Sequence, residues 1–158
     1  MERVTGSGPG ASVPPTLIFV AGFLLGWWID TRAPLGDEGE PSALVRLIGW
    51  GATAAGSWLF LWGLATFSRV RTGILLQRPA TRVVDLPPYS WSRNPMYVAF
   101  TAIYVGLALV VGACWSLILL PVVLGLLTWL VIRREERYMR TAFGAEYDAY
   151  CRRVRRWI

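Results

Sequence analysis

The sequence predicts an all-α membrane protein with four transmembrane helices, a cytoplasmic loop and a C-terminal amphipathic helix. Three observations lead there. Hydrophobic residues make up 54% of the 158 and charged residues 16%, with a mean hydropathy of +0.44, whereas soluble domains have about a quarter of their residues charged. The apolar residues are gathered into four uncharged blocks. The positive charges all lie outside those blocks, most of them after the second.

The blocks run from Val13 to Ile29, Leu47 to Phe67, Met96 to Ala113 and Trp115 to Ile132. A spanning helix needs about 20 mostly apolar residues, with a range of roughly 17 to 25, and each block reaches that range. In the first, Pro14 and Pro15 suit a helix start, and bulky Trp27 and Trp28 argue against a cleaved signal peptide. Gly49, Thr53, Gly56 and Gly63 in the second allow close helix approach. Only a short turn around Gly112 to Trp115 separates the last two, which predicts a tight antiparallel hairpin. Residues 1–12 read as a flexible N-terminus, 13–67 as two N-terminal spans, and 68–158 as one region built on the hairpin 96–132 and the tail.

All 16 basic residues are arginine and there is no histidine. Imidazole general bases, His-ligated metals and Ser-His-Asp triads are therefore excluded. Cys114 and Cys151 are too few for a thiolate metal site, and no metal is expected. They fall at opposite membrane faces, about 30 Å of hydrocarbon apart, so a disulfide between them is ruled out.

Thirteen of the arginines lie in the loop after the second span or in the tail. The first connection instead carries Asp30, Asp37, Glu38 and Glu40. The positive-inside rule then puts both termini in the cytoplasm. Trp27, Trp28, Trp50 and Trp115 fall near one interface, and Tyr89, Trp91, Trp129 and Tyr138 near the other, as in an aromatic belt. All-Arg basic usage with abundant Ala, Gly and Pro points to a bacterial inner membrane. A basic face against an anionic bilayer leaves no role for nucleic acid.

Beyond Ile132 the helical pattern continues through Arg133 to Arg140. Phe143, Tyr147, Tyr150, Val154 and Trp157 then recur at intervals of four, three, four and three, one face of an amphipathic helix. Arg152, Arg153, Arg155 and Arg156 occupy the other face. Such a helix suits the surface of an anionic bilayer or a lid over a cytoplasmic pocket.

Chemistry concentrates in two places. The loop ending Ser92-Arg93-Asn94-Pro95-Met96-Tyr97 sets Arg93 beside the N-terminus of the third span, opened by Pro95, a combination that favours a carboxylate or phosphate. A capped helix with a snorkelling arginine explains the same residues without function. Glu135 and Glu136 leave the fourth span about 100° apart, so one faces the bundle and the other pairs outward. An i,i+4 surface pair with Arg140 fits Glu136, leaving Glu135 to meet a cationic ligand or Arg93.

The run Pro88-Tyr89-Ser90-Trp91-Ser92-Arg93-Asn94-Pro95-Met96-Tyr97, then Arg134-Glu135-Glu136-Arg137-Tyr138-Met139, then Phe143-Gly144-Ala145-Glu146-Tyr147-Asp148-Ala149-Tyr150 and Val154-Arg155-Arg156-Trp157, resembles the isoprenylcysteine carboxyl methyltransferase and phospholipid methyltransferase family over roughly residues 66–158. The resemblance implies a small membrane enzyme using S-adenosylmethionine, with the cofactor at the cytoplasmic end of the last two spans, closed by the tail. A lipophilic small molecule or lipid acceptor would reach it from the bilayer. Carried onto this chain, Tyr89, Arg93, Asn94, Pro95 and Tyr97 form one wall. Glu135 and Glu136 supply carboxylates at the cofactor or reaction centre, and Tyr147 and Tyr150 cover the adenosyl part. Arg93 and Glu135 are the residues expected to act in catalysis.

The chain departs from that pattern at Asn94, where the prenylcysteine enzymes carry His, and at Pro87, where a glycine is common. It has no clear counterpart of the phospholipid enzymes' Gly-x-Gly. Two other readings stand beside this one: a reductase-like membrane enzyme using a nicotinamide cofactor, and a non-enzymatic scaffold whose arginine-rich tail binds lipid or a partner protein.

Overall fold

The computed structural model describes residues 13–35, 39–70 and 83–158. The N-terminus expected to be flexible, part of the acidic connection and most of the second loop, including Arg71, Arg78 and Arg82, lie outside the described residues. Among the described residues the chain is helical and without strands: α1 Pro15–Asp30, α2 Ala43–Val70, α3 Pro95–Val111, α4 Cys114–Leu127, a π-helical turn Thr128–Ile132, α5 Arg133–Phe143 and α6 Ala145–Arg153. Among the described residues two helices are long and apolar enough to cross a membrane. They are Ala43–Arg69 and the continuous 30-residue helix Cys114–Phe143, while Pro15–Asp30 and Pro95–Val111 are shorter apolar helices.

Proline opens α1 and α3 at their first turn, where a missing N–H costs nothing. Gly112 ends α3 in a left-handed conformation, φ 72°, which glycine adopts without strain. The turn is as tight as expected, but the backbones of α3 and α4 then diverge. The close backbone pairings are α2 on α3 and α1 on α4.

Small residues set those pairings. A Cβ on Gly49 would lie 2.7 Å from the Gly106 carbonyl oxygen, and one on Gly56 would lie 2.8 Å from that of Ala99. A Cβ on Gly106 would strike the backbone of Gly49 and Thr53, and one on Gly26 the backbone of Ser116. Close backbone approach of this kind drives helix association where the hydrophobic effect is weak.

One side of the α3–α4 cleft is filled from α1. Ile18 and Phe19 join Tyr97, Tyr104, Val123, Leu127, Val131 and Ile132 in a buried cluster, with Phe19 and Phe23 edge-on to Tyr104. The Tyr104 hydroxyl donates to the Ser116 carbonyl at 2.8 Å, and the Ser116 hydroxyl to that of Phe23 at 3.0 Å. At the far end, the Asp30 carboxylate accepts from the Trp115 amide at 3.0 Å and so caps the start of α4.

The tail departs from the single amphipathic helix expected. Gly144, φ 49°, separates α5 from α6, and Val154 is already extended. Tyr147, Tyr150 and Val154 do share a buried face with Phe143, Met139 and Val83. Trp157 instead packs against the cluster inside the helical bundle. The periodic spacing is real, but a helix break and an extended strap divide it between two cores.

Candidate functional site

The site is built where the loop before α3, the start of α5 and the tail meet. Residues 83–94 are held from two sides. From α2, Thr66 donates to the Pro87 carbonyl at 3.0 Å, and Phe67 stacks edge-on to Tyr89 at 4.6 Å. From the tail, the Tyr150 hydroxyl donates to the Tyr89 carbonyl at 2.6 Å. Ser92 and Arg155 form a parallel β-bridge, in which the Arg93 amide donates to the Arg155 carbonyl at 2.9 Å. The Asn94 side-chain amide donates to the Arg156 carbonyl at 2.9 Å. Asn94 is the N-cap residue of α3 by position but makes no side-chain cap hydrogen bond. Its side chain fastens the C-terminal strap.

The two glutamates divide their roles differently from the expectation. Glu136 is buried, 5% exposed, and makes no outward pair with Arg140, which meets Asp148. Arg156 grips Glu136 through two nitrogens at 3.0 and 2.8 Å, and Arg93 approaches it at 3.2 Å. This bidentate arrangement is the strongest form of the pair, and it raises the pKa of Arg156. Arg93 also donates to the Cys151 sulfur at 2.9 Å. Its Nε is buried and meets no acceptor among the described residues.

Glu135, one position back, is half-buried and accepts a 2.9 Å hydrogen bond from the Tyr97 hydroxyl. It lies past Ile132, where the apolar run ends. Burial pushes its carboxyl up to about 7, Tyr97 opposes the shift, and the neighbouring Glu136 charge adds to it. The Tyr89 hydroxyl is buried beside Gly63 and has no partner among the described residues. Its pKa is raised by burial first, then by Tyr150 and Glu135. Tyr147 and Tyr150 are raised likewise, chiefly by burial, and all three remain hydroxyl donors at neutral pH.

The structure therefore gathers Tyr89, Arg93, Asn94, Pro95, Tyr97, Glu135, Glu136, Tyr147 and Tyr150 around one end of the bundle. Within this group Arg93 and Glu136 are paired to each other, whereas Glu135 is bonded among the described residues by Tyr97. Three contributors were given no role by the sequence reading. Thr66 lies inside an apolar block, Cys151 reads as an inert small residue, and Arg156 reads as part of a solvated face. Only Arg156, within the Val-Arg-Arg-Trp run, carried a signal.

A model of the phospholipid methyltransferase family matches residues 44–146, more than half of the chain. The chain belongs to that family. The match reaches back over α2, which the resemblance read from the sequence left out, and it covers the loop, α3, Glu135 and Glu136. Tyr147, Tyr150 and the strap lie beyond it. No curated protein and no solved structure matches the chain. Family and apolar helices together place this protein among membrane methyltransferases that act on lipids.

Proposed function

We propose that the protein transfers a methyl group from S-adenosylmethionine to a lipophilic acceptor, with α1 to α4 crossing the bilayer and both termini on the arginine-rich, cytoplasmic side. The observation that supports it best is a half-buried carboxylate, Glu135, close to the Tyr89 hydroxyl, with that hydroxyl and the buried Arg93 Nε at the same end of the bundle both without a partner among the described residues. A carboxylate suits the ammonium or sulfonium of such a cofactor, and the free N–H of an arginine suits its carboxylate. Tyr147 and Tyr150 offer aromatic faces for the adenosyl part. When bound, the cofactor supplies an electrophilic methyl group.

The protein's contribution is then alignment and the exclusion of water. Tyr97 fixes the Glu135 carboxylate through its hydrogen bond. The Arg93–Glu136–Arg156 cluster ties the strap across the site. With a carboxyl group near pH 7, Glu135 can accept a proton from an amine or thiol acceptor as methyl transfer proceeds. For a carboxylate acceptor, Arg93 orients the nucleophile instead.

The test is calorimetric titration of the detergent-purified chain with S-adenosylhomocysteine, beside a nicotinamide dinucleotide. Saturable binding of the first, weakened in Tyr97→Phe and Glu135→Gln, is the expected result. Binding of the dinucleotide alone would replace this reading with the reductase-like one. Binding of neither by folded protein would leave the scaffold.

A further inference from the structure

The four apolar helices also meet at the end of the bundle away from Glu135. There α1 stops at Asp30, α2 starts at Ala43, α3 stops at Val111 and α4 starts at Cys114. A cavity of about 380 Å³ opens between these ends and the connection from α1 to α2. The connection is fastened on either side of it. The Trp115 indole donates to the Ala33 carbonyl at 2.7 Å, and Pro41 lies against Gly112, where a Cβ would come within 3.0 Å of the proline ring. The 17 residues of α3 separate this cavity from Asn94, about 25 Å of helix. It shares no residue with the candidate methyl-transfer site.

The cavity wall is hydrocarbon and backbone except for two side chains, Asp30 and Cys114. Cys114 is a free, exposed thiol. Asp30 is half-buried and is the one charged group on the wall. One of its oxygens accepts from the Trp115 amide at 3.0 Å, and the other meets no donor among the described residues. The described arginines at this end are engaged elsewhere: Arg32 lies over the Trp28 ring at 5.1 Å, and Arg46 pairs with Glu40 at 2.9 Å. The Asp30 charge therefore faces an apolar cavity without a counter-ion among the described residues. A hard metal ion takes six or more oxygen ligands, which one carboxylate on a hydrocarbon wall does not offer.

We infer that this cavity is a binding site for a small organic cation, its ammonium group on Asp30 and its apolar body between Leu35, Val45, Leu109 and Leu117. Carboxylate and ammonium make a charge-assisted contact, and the body gains by leaving water. The volume lies at the lower end of the range of small-molecule sites, which favours a compact ligand of about one ring over a long chain.

The inference goes beyond methyl transfer and is tested without a cofactor. The probe is benzyltrimethylammonium, and Cys114 on the cavity wall reports its arrival. The full-length chain in a non-ionic detergent is alkylated with N-ethylmaleimide, and Cys114 and Cys151 are followed separately by peptide mass spectrometry. The probe should slow alkylation of Cys114 saturably. Neopentylbenzene, its uncharged carbon counterpart, should protect about tenfold more weakly, the scale of one charge-assisted contact. Asp30→Asn keeps an oxygen for the Trp115 amide. It should weaken protection by the cation to the level of neopentylbenzene. Val45→Phe, which fills the cavity from its wall, should remove protection by both compounds. No protection of Cys114 in the wild type, equal protection by the two compounds, or protection by the cation undiminished in Asp30→Asn would overturn the assignment. So would protection that survives Val45→Phe. The two compounds compared on the wild type decide the matter even where a variant fails to fold. Each result is independent of whether S-adenosylhomocysteine binds.

Discussion

Glu135 and Glu136 are neighbours in opposite electrostatic situations. Glu136 has two arginines, whereas Glu135 has one tyrosine hydroxyl. Glu136→Ala would leave Arg93, 15% exposed, without its carboxylate, and breaking a buried pair this way costs about 3–5 kcal/mol. Chemical denaturation should show that loss, with a smaller one for Glu136→Gln. Glu135 has its pKa raised in the fold, so its charged form is disfavoured there. That penalty is absent below the unfolded value near 4.5, grows as pH rises, and is complete above about 7. Glu135→Gln should therefore raise the melting temperature at pH 8 and leave it nearly unchanged at pH 4. An equal change at both pH values would mean that the substitution acts through packing.

At the scale of elements, the α2–α3 contact is the most sensitive. Gly106→Val would drive a side chain into the backbone of Gly49 and Thr53, neither of which can yield by a rotamer change. It should abolish the folded state, seen as loss of a monodisperse peak in size-exclusion chromatography. Gly51→Ala, with open space around it, should be neutral or slightly stabilising. The four apolar helices and their order were legible in the sequence because long uncharged runs and proline starts are local signals. The small-residue seam on α2 was legible too, as Gly49, Thr53 and Gly56. What was not legible was which helices pair, since the Gly112 turn fixes only that α3 and α4 are consecutive. Nor was the break at Gly144, because a period of three and four residues reads the same whether one helix or two carry it.

At the scale of the molecule, the C-terminal strap fastens the loop before α3 to the start of α5. Arg156 holds Glu136 beside Glu135, and Trp157 packs against the buried cluster of the bundle. Motif order picked out residues that the structure brings to one end of the bundle, but not the pairings among them. The Glu136–Arg156 contact joins residues 20 apart and the Asn94–Arg156 contact residues 62 apart, separations that no local pattern encodes.

In the function proposed above, Glu135 is the carboxylate that meets the cofactor's positive charge. The measurement that tests this is the affinity for S-adenosylmethionine, which carries both the ammonium and the sulfonium, by calorimetry from pH 5.5 to 8.5 in two buffers of different ionisation enthalpy. A cation beside Glu135 pulls its carboxyl below its resting value of about 7, so binding should release a proton near pH 6. Affinity should rise with pH, by at most about tenfold per pH unit, and level off above 7. Glu135→Gln should bind more weakly and lose both the proton release and the slope. Affinity independent of pH in the wild type, or the same slope in Glu135→Gln, would exclude that role for Glu135.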